Sequence, residues 1–379
     1  MYSTLEADIR PGTGLGVFEL GTSLWNVLDM LRCMQHAFPL VDVKFDPDSS
    51  VTPIILHIRP HLDLLFSGQH QRLHTICLRK LRDPNPPVTL KFKEAILSST
   101  DEVFRRVGVS RTFGPTYPGD DLRYPGVLFS FEEDSRNEGL KGTSTHTEDK
   151  MQEVKRVVIT QKSVNGEVRD ALDEVVECPA MYGELHKAVL KVHEGADLYF
   201  YPSGTEPVQI RLGATSAQDL TCDLGPPLRI HYKEDDRMAI HSRRSGEDED
   251  ADTDYFYNYL QHGFDFLVDG TTHLVKKIVI HTNVPGSPLF QRYKRCPWEI
   301  EGKPEDDEDG MCGCVESLAR VTQRHAETPP RVRFYDTVSR RSVVFCSNRH
   351  VLIACPPGRY DKPLSGTEGA TPHHASRPN

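Results

Sequence analysis

Histidine and aspartate side chains gather between residues 241 and 281, where they could carry acid–base chemistry. The histidines in this stretch are His241, His262, His273 and His281, and the nearby acids are Asp265 and Asp269. An imidazole within hydrogen-bonding reach of a carboxylate can act as a general acid or base. Asp265, however, has a counterpart in Asp63, which lies 202 residues earlier in a similar stretch, whereas the histidines have none. We therefore predict a structural acid beside surface histidines and assign no catalytic residue.

Cysteines and glycines offer two further kinds of site, a metal centre and a phosphate loop. Nine cysteines are spread along the chain, and only Cys312 and Cys314 form a close pair. Tetrahedral zinc sites usually need two such pairs, so we predict free thiols in a reducing compartment and no metal. The segment Gly12–Gly16 lacks the lysine and the Ser/Thr of a nucleotide loop and follows no predicted strand. We interpret it as a flexible lead-in and predict no cofactor.

The charge of the chain is concentrated in two acidic runs. The 379 residues carry 45 basic and 55 acidic side chains, a net charge of −10, and residues 247–254 and 305–309 together hold eleven of the acids. The rest of the chain is close to neutral, without the dense basic cluster that nucleic-acid binding requires. Residues 1–10 contain acids and lack the apolar stretch of a secretory signal peptide. No run of eighteen apolar residues, the length needed to cross a membrane, occurs in the sequence. The sequence thus predicts a cytoplasmic protein that binds no nucleic acid and no small-molecule substrate.

A β-hairpin pattern occurs twice without a gap, at residues 62–78 and 264–280. In both copies an acid follows the first apolar residue, and a glycine, Gly68 or Gly270, lies at the predicted turn. Such alternation is typical of half-buried antiparallel strands. Each copy follows a Leu-Gly pair and apolar residues at helical spacing, with Thr22-Ser23 or Thr215-Ser216 as N-caps. We therefore predict a short helix packed on a small antiparallel sheet, used at least twice.

A third copy can be placed between these two. Residues Ser99-Thr100-Asp101-Glu102 form a capping-box pattern before an apolar stretch, and strands are predicted at 126–131 and 154–159. The predicted fold class is therefore α+β, with two to three tandem repeats of a short helix on a small antiparallel sheet or hairpin. By analogy this module resembles bacterial outer-membrane assembly lipoproteins and the β-lactamase inhibitor protein, which are binding folds. Chance remains the alternative explanation of the repeat.

The predicted repeats divide the chain into four ranges. These ranges are 15–85 for repeat 1, 88–165 for repeat 2 with a loop insertion at 132–153, 166–300 for repeat 3 with an acidic insertion at 245–254, and 301–379 for a divergent, largely disordered tail. Within this tail, residues 343–346 and 351–355 could form a remnant hairpin. Small units of this kind bury little apolar surface alone, so neighbouring copies are expected to pack together.

The aromatic run at residues 255–259 is the candidate partner-binding surface. Alternation places Tyr255, Tyr257 and Tyr259 on one face of a strand and Phe256 on the other. Exposed tyrosines make good interface anchors, because they add apolar area at low entropic cost. In the alternative interpretation, Phe256 fills the core and the tyrosines pack against a neighbouring strand or copy.

Two basic pairs are candidate contacts with anionic lipid. Lys155-Arg156 and Lys276-Lys277 occupy matching places on predicted strands. Basic residues near an anionic membrane surface contribute about 1 kcal/mol each. The alternative is that these charges protect a sheet edge from pairing with another chain.

Several unusual strings resemble the phagosome assembly factor family of eukaryotes. They occur in order and cover about residues 15–300, and the longest are residues 230–242, 254–259, 263–269, 281–286 and 293–296, with residues 20–31, 114–119 and 128–135 in the first part of the chain. After Cys296 the agreement fades, because the family continues with a further helix and hairpin where this chain is rich in Pro, Arg and acids.

The resemblance implies a non-enzymatic regulator of autophagy that forms a complex with a β-propeller protein of the breast-carcinoma-amplified-sequence type. It implies action at the phagophore assembly site, with peripheral membrane association through that partner, and a link to Golgi-related transport. No catalytic residue is carried over from the family. The alternative hypothesis is a peripheral phosphoinositide- or lipid-binding module that acts alone.

Overall fold

The fold is built mostly from β-strands, with three α-helices in the described part of the chain. The computed structural model describes residues 5–47, 49, 52–84, 86–117, 119–131, 150–162, 174–191, 193–233, 253–287 and 289–301, and the backbone of 332–334, 344–347 and 350–354. No helix within these ranges is both long and apolar enough to cross a membrane. His241, Cys312 and Cys314, the 305–309 acidic run and most of the insertions at 132–153 and 245–254 lie outside the described residues.

The first half of the molecule, residues 5–162, contains two sheets and two helices. Its elements are β1 Leu5–Arg10, β2 Gly14–Leu15, β3 Phe18–Glu19, α1 Leu24–Cys33, β4 Val41–Lys44, β5 Ile54–Ile58, β6 Leu62–Phe66, β7 Leu73–Arg79, β8 Val88–Phe92, β9 Ala95–Ser98, α2 Arg106–Phe113, β10 Leu122–Tyr124, β11 Val127–Ser130 and β12 Arg156–Thr160. The larger sheet has the order β10-β11-β12-β7-β6-β5-β4, and the smaller one has the order β3-β2-β1-β8-β9. Every pair in these sheets is antiparallel except β1 with β8. Alternate residues of β5 and β6 are buried, as period-2 side-chain alternation requires.

The second half, residues 174–354, repeats much of this layout. Its elements are a 3₁₀ turn at Pro179–Met181, then β13 Leu185–Lys191, β14 Gly195–Phe200, β15 Val208–Arg211, α3 Ala217–Leu224, β16 Arg229–Tyr232, β17 Tyr255–Tyr259, β18 Phe264–Val268, β19 Val275–His281, β20 Trp298–Ile300, β21 Val332–Phe334, β22 Val344–Ser347 and β23 His350–Ala354. The larger sheet has the order β16-β17-β18-β19-β23-β22-β21, and the smaller one has the order β15-β14-β13-β20. As in the first half, the smaller sheet contains one parallel pair, β13 with β20.

Each half has its own hydrophobic core. The buried residues of the first core come from residues 7–159, and those of the second come from residues 185–296. Both cores combine side chains of the larger sheet, the smaller sheet and a helix, α1 in the first half and α3 in the second, and the first core also includes Val109 of α2. Because each sheet has one apolar face, stacking the two faces around the helix removes them from water.

The predicted fold class is wrong. The two hairpins exist, but they lie inside seven-stranded sheets, so they are not the sheets of small helix-on-hairpin repeats. The predicted third copy is also wrong as a separate unit, because its strand β12 pairs along its whole length with β7. Its helix α2 begins at Arg106, whereas the capping pattern at Ser99 closes a turn through the amides of Asp101 and Glu102.

Local predictions fared better than the fold class. Ser23 and Ser216 cap α1 and α3 as predicted, and β22 and β23 form the remnant hairpin of the tail. The hairpin turns, however, take their positive φ at Gln71 and His273 and not at Gly68 and Gly270. The segment Gly12–Gly16 is not a flexible lead-in, because Gly14 and Leu15 form β2 beside β1.

Candidate functional site

The three tyrosines of β17 lie on the face of the sheet that points into the core. Tyr255 and Tyr259 are buried, and only Tyr257 is partly exposed. The hydroxyl of Tyr259 donates to the carbonyl oxygens of Leu220 at 3.3 Å and Gly225 at 2.9 Å. Burial, with Tyr257 and Tyr232 nearby, raises the pKa of Tyr255 to about 12. Phe256 lies on the opposite face and is not in the core. The alternative interpretation, in which Phe256 fills the core, therefore assigns the core to the wrong face of the strand.

The exposed apolar surface lies one strand further out, on β16. Ile230 is paired with Tyr257 and Tyr232 with Tyr255, so their side chains share the face of the core tyrosines. Leu228 is 59% exposed, Ile230 45% and Tyr232 60%. The Tyr232 ring contacts that of Tyr255, with ring centroids 5.7 Å apart. We call Leu228, Ile230, Tyr232 and Tyr257 the β16 edge.

The β16 edge follows a short helix, α3. It has eight residues and is followed by Gly225, at φ 80°, and then by Pro226-Pro227, which cannot continue a helix. The longer α1 has ten residues, and the chain that follows it leads to the buried Phe38, whose ring packs on Phe18 of the smaller sheet. Helix α3 is thus two residues shorter than α1, about half a turn, and it buries only Ala217 and Leu220.

The strand β16 lies at the end of its sheet. The strand order ends at β16, so among the described strands it has a neighbour on one side only. The N–H and C=O groups on its outer side are available to pair with a strand from another protein. An apolar row beside an unpaired backbone is the arrangement used in binding by strand addition.

The four basic residues proposed for lipid contact lie in two different sheets. Lys155 immediately precedes β12, which contains Arg156, and both Lys276 and Lys277 lie in β19. Both strands have neighbours on each side, so the alternative that these charges protect a sheet edge is wrong. Lys276 forms ion pairs with Asp254 and Asp269. Burial opposes its charge, but hydrogen bonds to those acids keep the pKa of Lys276 above its usual value.

Asp265 is a buried acid, and its neighbours are buried with it. Its Oδ2 accepts a hydrogen bond from the Tyr293 hydroxyl at 2.9 Å and lies 2.8 Å from His281 Nε2. The prediction of surface histidines is wrong for His281, which is buried, and for His262, which is partly buried against the Phe264 ring. Burial lowers the pKa of His262 to about 4. These side chains are enclosed by packing, and the described residues contain no group of three metal-ligating side chains suited to an ion.

Comparison with known proteins identifies the family. The family model described as phagosome assembly factor 1 matches residues 14–334. A PHAF1 protein of Arabidopsis thaliana is 30% identical over 81% of this chain and 77% of its own length. A PHAF1 protein of Caenorhabditis elegans is 27% identical over 75% of this chain and 74% of its own length.

A third relative matches over a shorter part of the chain. A PHAF1 protein of Drosophila melanogaster is 39% identical over 36% of this chain and 31% of its own length. No solved structure matches the chain, so the analogy with lipoprotein and inhibitor modules gains no support. Because the family model spans both halves of the molecule, the chain belongs to the phagosome assembly factor 1 family.

Proposed function

We propose that this chain is a non-enzymatic adaptor in phagosome assembly and that it docks a protein partner at the β16 edge. The observation that carries the proposal is the row of Leu228, Ile230 and Tyr232, exposed beside a strand edge that no other described strand covers. Membership of a family named for phagosome assembly supports the process. The enclosed Asp265 network supports a role without catalysis, because its ionisable groups are packed inside the fold.

The proposed partner is a β-propeller protein of the breast-carcinoma-amplified-sequence type. Propeller blades are small antiparallel sheets whose outer strands present short edges. Such an edge could pair with β16 through main-chain hydrogen bonds, while its apolar side chains cover Ile230 and Tyr232. The proposed place of action is the cytoplasmic face of the phagophore assembly site, reached through the partner, with Golgi-related transport as a second process.

Direct lipid binding through Lys155, Arg156, Lys276 and Lys277 is the weaker hypothesis. Lys276 is held by two acids and Lys155 lies 3.4 Å from Glu153, so these cations are already partly neutralised within the protein. Liposome flotation separates the two hypotheses. We expect the purified chain to stay off anionic liposomes and to float only when the partner is present.

The test of docking is the variant Ile230→Lys, produced as the full chain in eukaryotic cells. A charge at the centre of an apolar interface should reduce recovery of the β-propeller partner by about tenfold or more. The matched control is Ile96→Lys, because Ile96 is 52% exposed and lies in β9 at the end of the smaller first-half sheet.

Thermal unfolding of both variants should match the parent chain, since each altered side chain is exposed. Equal recovery of the partner with Ile230→Lys and with Ile96→Lys would contradict docking at the β16 edge. Failure of any β-propeller protein to co-purify with the parent chain would contradict the proposed partner.

A further inference from the structure

A narrow pocket lies between the two halves of the molecule. The β6–β7 turn of the first half contributes His70 and Arg72, and the second half contributes His186, Tyr201, Lys294 and Arg295. The cavity measures about 20 Å³. A single water molecule needs about 10 to 15 Å³ on the same scale. The pocket therefore admits the tip of a small group, and a phosphate would not fit without displacement of its walls.

Three cations line this pocket, and two of them share one acid. Arg72 and Lys294 are buried, and both form ion pairs with Glu184, Lys294 Nζ at 2.6 Å from its carboxylate. Burial alone would favour the neutral acid, but these two cations hold the pKa of Glu184 below its usual range. The carboxylate of Glu184 is thus committed to Arg72 and Lys294 and does not serve the third cation.

Arg295 is the cation with a hydrogen-bond donor that lacks an acceptor within the part of the chain that the structure describes. Its side chain is 9% exposed, and among the described residues its Nη1 has no hydrogen-bond acceptor. Glu174 provides the nearby negative charge, and burial lowers the pKa of Arg295 to about 10. A buried guanidinium nitrogen without an acceptor is costly, so an incoming acceptor would gain a strong charge-assisted hydrogen bond.

The electrostatic balance of the pocket favours an anion. Arg72, Lys294 and Arg295 carry three positive charges against the two negative charges of Glu184 and Glu174. Burial, together with the nearby Arg295 and Arg72, lowers the pKa of His70 to about 4, so at neutral pH this wall adds no charge of its own. Glu177, which is partly exposed and whose charge acts on Tyr201 of the pocket wall, lies outside this count. For the three cations taken with Glu184 and Glu174, one positive charge is in excess, which is the amount that a single carboxylate neutralises.

We infer that the junction pocket binds one carboxylate group, with Arg295 as its principal donor. The small cavity selects a planar two-oxygen anion, and a guanidinium binds such a group through two parallel hydrogen bonds. The carboxylate could belong to a small free acid or to an acidic side chain of a protein partner. These two sources share the same chemistry and differ in what else contacts the mouth of the pocket.

The test is thermal unfolding of the full chain in sodium acetate, with sodium chloride at equal ionic strength as the reference. A second series uses a short peptide of glutamates with blocked termini in place of acetate. We expect the unfolding temperature to be higher than in the chloride reference in at least one series. Acetate alone would indicate a small free acid, and a peptide effect at much lower concentration would indicate a protein-borne carboxylate.

Two variants and one control tie the effect to Arg295. Arg295→Met should abolish the carboxylate response, and Arg295→Lys, which keeps the charge but loses the two-pronged geometry, should weaken binding by about tenfold. The control Arg292→Met removes an exposed cation three residues away and should leave the response unchanged. If Arg295→Met does not fold, Arg295→Lys decides the outcome. No response above chloride in either series, or an equal response in all variants, would overturn the inference.

Discussion

The two halves use the same sheet order but cover their outer strands differently. In the first half Val41 and Val43 of β4 pair with Ile58 and Leu56 and pack against the core. Leu228 and Ile230 hold the matching places beside β17, and both are exposed. Helix α1 buries four apolar residues and α3 buries two. The comparison teaches that the half with the shorter helix and fewer buried helix side chains is also the half whose outer strand stays exposed.

A second contrast concerns the acid at the start of each hairpin. Asp63 lies 2.6 Å from His57 and 2.8 Å from Arg79, whose side chain is partly exposed. Asp265, its counterpart 202 residues later, is enclosed by His281 and Tyr293. The same strand position thus carries an ion pair near solvent in one half and a buried network in the other. Sequence repetition preserved the acid but not its surroundings.

The largest effect is expected where the halves meet. Glu184→Gln removes the carboxylate that pairs with both the buried Arg72 and the buried Lys294, and breaking a buried ion pair from one side costs about 3 to 5 kcal/mol. Urea unfolding should show this loss of stability. The control Glu206→Gln changes an exposed acid and should change stability by less than about 0.5 kcal/mol. Equal stability of both variants would show that the halves are held together by other contacts.

The next effect tests the unequal helices directly. Leu220→Ala removes the only fully buried large side chain of α3 and should cost about 3 kcal/mol. Amide hydrogen exchange should show lost protection across α3, since Ala217 alone cannot hold the helix on the sheet. Leu28→Ala in α1 is the comparison, because Leu24, Val27 and Leu31 remain buried there. Full protection of α3 in Leu220→Ala would argue against its weaker anchoring.

A smaller effect should appear as a pH dependence. His262 has a folded pKa of about 4, so below its ordinary value near 6.5 the unfolded chain binds a proton that the folded chain does not. Stability should therefore fall as the pH drops from about 6.5 towards 4. In His262→Phe the new ring can keep the contacts with Phe264 and Tyr259. The free energy of unfolding differs between pH 7 and pH 5, and this variant should reduce that difference by about 1 to 2 kcal/mol.

His70 has a pKa lowered in the same direction, so part of the pH dependence should persist in His262→Phe. The midpoints of urea unfolding at pH 7 and pH 5 measure how the stability of each variant depends on pH. The exposed His36→Asn variant is the control and should keep the slope of the parent chain. An unchanged slope in His262→Phe would show that His262 is protonated equally in both states.

The smallest effect compares the two helix caps. The Ser216 hydroxyl accepts from the Asp219 amide in a complete capping box, whereas Ser23 accepts one bond from the Asn26 amide. Ser216→Ala should cost about 1 kcal/mol and Ser23→Ala about half as much, because α1 has more packing to hold it. Thermal unfolding of the two variants measures the difference. A larger loss with Ser23→Ala would reverse the proposed order of anchoring.

Sequence patterns predicted what depends on neighbours along the chain. The hairpins at residues 62–78 and 264–280 and the caps at Ser23 and Ser216 follow from alternation and from short-range hydrogen bonds. The pairing of β12 with β7 joins residues about eighty positions apart, and no local pattern specifies it. The third unit was therefore assigned wrongly, and the fold class with it.

The candidate site shows the same division. Alternation correctly placed Tyr255, Tyr257 and Tyr259 on one face but could not say which face meets the core. The β16 edge could have been predicted from the sequence. Leu228, Ile230 and Tyr232 alternate with polar residues directly after Pro226-Pro227, which cannot continue the preceding helix. The junction pocket had no such signal, since Arg72, Glu184 and Arg295 meet only after both halves have folded.

The position of Glu184 makes the two halves unequal when they are separated. Glu184 belongs to the second half, where Lys294 already balances its charge, yet it also serves Arg72 of the first half. A fragment ending at residue 162 would keep a guanidinium that has lost its counter-ion, whereas a fragment starting at residue 174 would retain a matched pair. Dissecting the chain should therefore weaken the N-terminal piece more than the C-terminal one, although the N-terminal piece has the more completely covered sheet.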